Sequence, residues 1–317
     1  MVPEEKVLTN RLDVTPWPYP AVTWDVIRGS RQVGKPNVPN SEAHIVPRLG
    51  ISQNSAAFLY YREKKVFSPT SIHWLRSPGS IQNIQNAETA VMRDVNDLNE
   101  RCDNLVEWAC WQALSGHLNF ATDDVVCSVD YKLPATHTPT VVNEWGATGT
   151  TVAQIVGNVQ AWKRLIRRDG RVKATEAWCT ELTMTLILAA FTRASQTLLS
   201  DRMRDAYYAD GVIPGFMGLD WNEVESQYDS DENGTMALFL PDYALAITNL
   251  QANRPMEIMH GPTADDSAPE GFTGKFSKTW KDEDPSARQV LLELNFLPII
   301  TRPEQVVYCS DVGAGGS

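Results

Sequence analysis

Asp229, Asp231, Asn233 and Gly234 have the spacing that opens a calcium loop: oxygen ligands at alternate positions, then a glycine for the sharp turn. The twelfth position of such a loop needs a bidentate glutamate, and here it is Leu240. Without that ligand the segment reads as a hairpin turn, since Asn233-Gly234 suits the positive φ values that tight turns demand. Lys163, Arg164, Arg167, Arg168, Arg171 and Lys173 form the one basic cluster. It could touch phosphate, but cations at a helix C-terminus also complement the helix dipole, at about 0.3–1 kcal/mol each. We adopt the second reading, with ion pairs to a neighbouring copy included in it. His44, His73, His117, His137 and His260 show no HExxH pattern and no partner at metal-ligand spacing. GxSxG, Walker and GxGxxG motifs are missing. Asp282-Glu283-Asp284 reads as a solvated acidic run, and Trp108 and Trp111 as packing residues. No catalytic, cofactor-binding or metal-ligating residue is assigned, and no cofactor is expected.

The elements that would position any site must come from a chain of 317 residues, enough for one large domain or two modest ones. Its 43% hydrophobic content is that of a folded protein. The net charge of −11 is concentrated: residues 220–285 hold fourteen Asp/Glu against four Lys/Arg. An acidic surface of that extent argues against a dedicated nucleic-acid-binding module, which needs a basic stripe. Cys102, Cys110, Cys127, Cys179 and Cys309 are odd in number, widely spaced and without a CxxC pair, so they read as reduced, mostly buried thiols in a cytoplasmic setting. Met1–Asp25 is polar and broken by prolines, with no signal-peptide core, and no stretch is long and apolar enough for a membrane helix. The expectation is a soluble, non-secreted chain.

The strongest local pattern runs from Ile84 to Gly116. Ile84, Val91, Leu98 and Leu105 recur every seven residues, with Glu88, Val95, Cys102 and Ala109 four behind them. This stripe, apolar except at Glu88, predicts a helix over 84–116, about 45 Å long at about 1.5 Å per residue. Asn83 can cap its start and Gly116 can end it. Arg93, Asp94, Asp97, Glu100, Arg101 and Asp103 fall on its other faces. Residues 1–80 are broken by nine prolines and predict an extended arm, with Ala56–Tyr61 and Lys65–Phe67 as a hairpin about Arg62-Glu63-Lys64. Too few apolar residues lie in this arm to make its own core, so it should need a neighbour to lie on. Asp124–Leu133 alternates as a strand, and Thr151 opens an amphipathic helix that Asp169-Gly170 closes. Thr175–Cys179 reads as a strand, Leu182–Leu199 as a helix, and Val290–Leu297 and Gln305–Cys309 as closing strands. The order is α+β. Gly313–Ser317 reads as a flexible tail.

Several short pieces occur together in order. Leu75-Arg76-Ser77-Pro78-Gly79-Ser80 enters the long helix, and Glu107-Trp108-Ala109-Cys110-Trp111-Gln112-Ala113-Leu114 with Ser115-Gly116 ends it. Val129-Asp130-Tyr131, Ala161-Trp162-Lys163, Arg168-Asp169-Gly170 and Leu240-Pro241-Asp242 follow. The run from Gly274-Lys275-Phe276 through Trp280 to Asp284-Pro285 comes next, and then Leu297-Pro298. Over about residues 20–310 this order resembles the lambda-type (gpE-like) major capsid proteins of tailed phages. The resemblance implies an HK97-type capsid fold: residues 1–80 as N-terminal arm and extended β-hairpin loop, and residues 81–148 and 290–312 as a peripheral domain built on the long spine helix. Residues 149–289 would be the axial domain, and 313–317 a tail. It further implies a head protein that self-assembles as hexamers and pentamers into an icosahedral shell enclosing double-stranded DNA without sequence-specific binding. Scaffolding protein, portal and a decoration protein would be partners, with assembly in the host cytoplasm and no membrane.

Some capsids of this fold cross-link loop lysines to asparagines. Lys64 and Lys65 lie in the expected loop, but the sequence identifies no partner, and that chemistry is not carried over. Arg48, Arg62, Glu63 and Arg76 are the charged residues expected to make contacts of the arm. Two rivals predict different things. An encapsulin-like nanocompartment of the same fold would package an enzyme cargo. A cytoplasmic enzyme, using unpaired acids such as Glu144 or Asp220, would form a small oligomer with a concave site.

Overall fold

In the computed structural model the heptad stripe forms one continuous helix, α1 (Ala87–Ser115). The structure describes residues 7–27, 51–67, 87–121, 126–147, 149–193, 205–206, 209, 212–229, 235–283 and 287–313. Ile84 and the expected cap Asn83 lie outside them. Leu98, Cys102 and Ala109 of the stripe are buried, and burial widens toward the C-terminus to take in Val106, Glu107, Cys110, Trp111, Ala113 and Leu114. Gly116 stops the helix at φ +101°, a value its missing Cβ allows.

The strands in chain order are β1 (Asp13–Pro16), β2 (Ala21–Ile27), β3 (Ile51–Ala57), β4 (Leu59–Phe67), β5 (His117–Ala121), β6 (Val126–Asp130), β7 (Glu176–Cys179) and β8 (Val212–Phe216). They continue as β9 (Leu219–Glu223), β10 (Gln227–Asp229), β11 (Met236–Leu238), β12 (Leu245–Thr248), β13 (Met256–His260), β14 (Phe276–Asp282), β15 (Ala287–Ile300) and β16 (Val307–Cys309). Two further helices are α2 (Val152–Asp169) and α3 (Glu181–Arg193).

β15 organises the first sheet. On one edge it pairs antiparallel with β14 and then β13, and on the other with β4, from Phe67↔Arg288 to Leu59↔Phe296. β1 adds parallel to β13. β13 and β14 lie inside the 149–289 segment by sequence, yet they belong to this sheet. α1 packs against it, and Tyr61, Leu98, Val106, Leu114, Leu292 and Phe296 share its core. Charge pairs tie the same helix to β4: Lys65 with Asp94 (3.4 Å) and Asp97, and Arg101 with Glu63 (2.8 Å).

This corrects one expectation. Arg62-Glu63-Lys64 is not a turn but the middle of β4, paired with Glu293, Leu292 and Leu291. A charged triplet looks like a turn, but on an edge strand alternate charges can face solvent or partners on α1 while Leu59, Tyr61 and Phe67 are buried. The hairpin-like ribbon lies upstream, β2 against β3 from Ala21↔Ala57 to Ile27↔Ile51, and its connection at 28–50 is outside the described residues. The N-terminal region makes no core of its own but lies on the neighbouring domain, with Leu8, Leu12, Val22, Trp24 and Val26 buried in the first core.

A second core surrounds the sheet β16-β12-β7-β9-β8, in which only β7 and β9 run parallel. α2 buries Val152, Ile155, Val159, Trp162 and Ile166 there, and α3 buries Met184, Ile187 and Ala190. Thr151 opens α2 as expected, and the Gln154 side chain braces that start by accepting the N–H of Thr151 at 2.8 Å. The closing strand β16 pairs with β12 in this second sheet. β5 with β6, and β10 with β11, form separate two-stranded ribbons.

Candidate functional site

The residues with chemical potential are scattered by the fold. Asp229 ends β10, which pairs antiparallel with β11 as Asp229↔Met236, so the calcium-like stretch connects a hairpin. Asp231, Asn233 and Gly234 are outside the described residues. His117 sits exposed, 3.5 Å from Asp130, and His137 is fully buried. His137 shares one ring nitrogen with the carbonyl of Val306 (2.8 Å) and the other with Asp169 (3.2 Å), which ties the end of α2 to the chain entering β16. His260 is pulled below its ordinary value by burial and by Lys275. His44 and His73 lie outside the described residues.

The basic cluster at the end of α2 is partly spent within the chain. Arg168 makes two hydrogen bonds to Asp169, both at 2.7 Å, and together with His137 it holds that carboxyl down at about 2. Lys163 donates to the carbonyl of Met217, and burial, with Lys173 adding, lowers its affinity for its proton. Asp282, from the acidic run, accepts the side-chain amide of Gln289.

Three groupings of acids were not legible in the sequence. Glu107 is buried in α1 and accepts the N–H of Leu8 and of Thr9, each at 2.8 Å, the Thr9 hydroxyl, and the indole N–H of Trp111 at 2.9 Å. Glu293, fully buried on β15, accepts the N–H of Ala264 at 2.6 Å and lies 3.7 Å from Arg62. Arg62 also faces Asp265 at 3.7 Å, and Asp265 takes Lys278 at 3.1 Å. The N–H of Ser267 and Lys278 hold the Asp265 carboxyl at about 2. The only signal for Glu107 and Glu293 was a lone acid inside an apolar run, EWACW and LLELNF. Arg62 and Glu63 therefore use their charges within one chain, while Arg48 and Arg76 lie outside the described residues.

The third grouping, Glu181, Glu223 and Glu225, has one oxygen of each within 4.8 Å of the others, and is the one set among the described residues with metal-ligand spacing. The parallel pairing of β7 and β9 brings the three together, and Glu225 accepts the N–H of Glu181 at 2.6 Å. All three are solvent-accessible carboxylates, and exposed acidic groups are common without an ion.

Two clefts are open. One of about 630 Å³ lies between β3 and β6, lined by Trp24, Asn54, Phe58, Cys127, Val129 and Lys132. The other, about 390 Å³, lies at the end of α1, lined by Trp111, Ser115, His117, Phe239 and Tyr308. Neither includes Glu144 or Asp220. Glu144 is exposed, and Asp220 accepts the N–H of Gly215 at 2.8 Å. Among the described residues no nucleophile, base and charge-stabilising donor converge in either cleft.

The parts that are built with care are those that shape the subunit: a long helix fastened to a sheet by ion pairs, a ribbon packed on the same core, and a second sheet-and-helix core. That arrangement is the HK97 type of capsid fold. Residues 13–309 match the family model of phage major capsid protein E, and the chain belongs to that family.

Solved structures place it in the same fold at low identity. A crystal structure assigned as a prophage capsid protein of E. coli CFT073 has a TM-score of 0.66 at 12% identity, covering 96% of this chain and 92% of its own. The capsid of Ralstonia phage GP4 gives 0.53 at 12% identity, over 94% and 86%. The SrpI encapsulin of Synechococcus elongatus PCC 7942 gives 0.54 at 8% identity, over 100% and 91%. No curated protein matches this sequence. The chain is a capsid shell protein that assembles with copies of itself, and so a component of the virion.

Proposed function

We propose that this chain is the major head protein of a tailed bacteriophage, forming hexamers and pentamers of an icosahedral shell around double-stranded DNA. The observation that carries this reading is the family match across residues 13–309. The chain acts through association free energy rather than catalysis: modest contacts repeated over many interfaces make nuclei rare and closed shells stable. The first core, with α1, β1, β4 and β13–β15, serves as the peripheral domain. The second, from about residue 149 to 250 with β16 returning to it, serves as the axial domain around the symmetry axes; the two separate cores support this division. The ribbon of β2 and β3 leads into the extended loop. The acidic 220–285 region suits a wall that confines DNA without adhering to it. Assembly takes place in the host cytoplasm with a scaffolding protein, a portal and a decoration protein.

The test is expression of the chain with and without a candidate scaffolding protein, followed by negative-stain electron microscopy. Closed shells or curved sheets of hexamers are expected, with DNA inside particles recovered from a full infection. Shells that instead carry a co-purifying enzyme would move the assignment to a nanocompartment. Small discrete oligomers under both conditions would overturn the shell function.

A further inference from the structure

Five residues near the N-terminus join the first core to the second sheet. Leu8 is fully buried in the first core, and its N–H and that of Thr9 each donate to a carboxylate oxygen of Glu107 on α1. Thr9–Arg11 then makes a single 3-10 turn. That turn swings Arg11 onto β7 of the second sheet, where its guanidinium lies 3.3 Å from the Glu176 carboxylate and 4.7 Å from the centre of the Trp178 ring. Leu12 is buried again in the first core, and β1 follows it along β13. The chain thus crosses from α1 to the second sheet and back to the first.

The contact points on both sides are held firmly. Glu107 is fixed by the indole N–H of Trp111, and Trp111 meets Trp178 edge-on with ring centres 6.0 Å apart. Trp178 faces the first core while its neighbours Ala177 and Cys179 face the second, so β7 is the strand at the junction. Burial pushes the Glu176 carboxyl up, and Arg11 opposes it. Two backbone N–H groups on one carboxylate, and a guanidinium shared by a carboxylate and a ring face, are charge-assisted contacts, stronger than neutral hydrogen bonds. Relative motion of two packed bodies in one chain is the default unless a large apolar interface joins them; here Trp178, Ala246 and Tyr308 of the second sheet also pack in the first core, and residues 8–12 add charged contacts to that junction.

We propose that residues 8–12 are a strap that sets the angle between the two cores, and that, resting on the shell function above, this angle sets the diameter of the assembled particle. Copies in hexamers and pentamers must differ by small rigid-body rotations, and a short polar strap at the junction limits that range.

The strap itself is tested in the unassembled chain by electron–electron spin distances. Labels go on Lys64→Cys in β4 and Ala153→Cys in α2, both exposed, in a Cys127→Ser background. Arg11→Ala cuts the contact to the second sheet from a partly exposed position, and Glu107→Gln weakens the other anchor. The expected result is a distance distribution about twofold broader in either variant than in the parent. If Glu107→Gln does not fold, Arg11→Ala alone decides. Unchanged distributions overturn the strap. Shells formed by Arg11→Ala should then show mixed diameters beside uniform parental ones, and uniform diameters would overturn its role in particle size. Failure of the parental chain to form shells would count against the shell function, while the spin distances would still decide the strap.

Discussion

The phenolic hydroxyl of Tyr61 lies 3.0 Å from the main-chain carbonyl of Leu98 and donates to it, so a strand residue is bonded to the backbone of the long helix at mid-length. Together with Lys65 on Asp94 and Asp97 and Arg101 on Glu63, this makes β4 a rail along α1. Burial, with Glu63 adding, drives the Tyr61 hydroxyl far above the ordinary tyrosine range, which keeps it a neutral donor. Tyr61→Phe keeps the ring and loses the bond. It should cost about 1 kcal/mol in chemical denaturation, since the removed bond is buried and intramolecular. A midpoint equal to the parent's would show that water replaces the bond without loss.

Gly157 and Gly170 should respond to alanine with opposite sign. A Cβ on Gly157, inside α2, meets nothing within 4 Å, so Gly157→Ala should stabilise by about 0.5–1 kcal/mol through helix propensity. A Cβ on Gly170 would stand 2.6 Å from the Glu304 carbonyl and 2.9 Å from that of Ile166. Gly170→Ala should therefore lower stability by about 1–3 kcal/mol, as overpacking does. Thermal melts of the two variants side by side check the pair.

Asp169 supplies a pH signature. Its folded value of about 2 lies below the ordinary carboxylate value of about 3.9. A depressed carboxyl contributes stability that is fully present above the unfolded value and is lost as pH falls through the folded one. The difference in stability between the parent and Asp169→Asn should accordingly be constant at neutral pH and shrink between about pH 4 and about pH 2. The side chain is partly solvated, so the neutral-pH difference should be about 1 kcal/mol rather than the full shift. A gap that persists at pH 2 would assign the loss to packing around His137 instead.

Four of the five thiols should be silent in the folded chain. Cys102, Cys110, Cys179 and Cys309 are buried, and burial raises the last three, Cys309 to about 11. Cys127, half-buried and less raised, lines the larger cleft. A chromogenic disulfide reagent at pH 8 should titrate one thiol of the five quickly and all five only in denaturant. Two or more fast thiols would mean that a buried core opens on the timescale of the reagent.

Features set by near neighbours in the chain were legible in the sequence. The seven-residue stripe became α1, Gly116 its stop, Thr151 the start of α2, and the segment read as a hairpin turn falls between the paired strands β10 and β11. Their cause is local geometry: 3.6 residues per turn, two per pleat, and backbone angles open chiefly to glycine. The family, too, could be recognised from short pieces in order along the chain, and the match over residues 13–309 agrees. Tertiary structure alone decided that Arg62-Glu63-Lys64 lies in the middle of a strand, because β4 finds its partner in β15 near the other end of the chain. It alone decided that Glu107 binds Leu8, 99 residues away, and that Arg11 meets Trp178. A charged residue carries the same letter whether it faces water or closes a contact. Which of these it does depends on the long-range pairing of strands, to which local periodicity is blind.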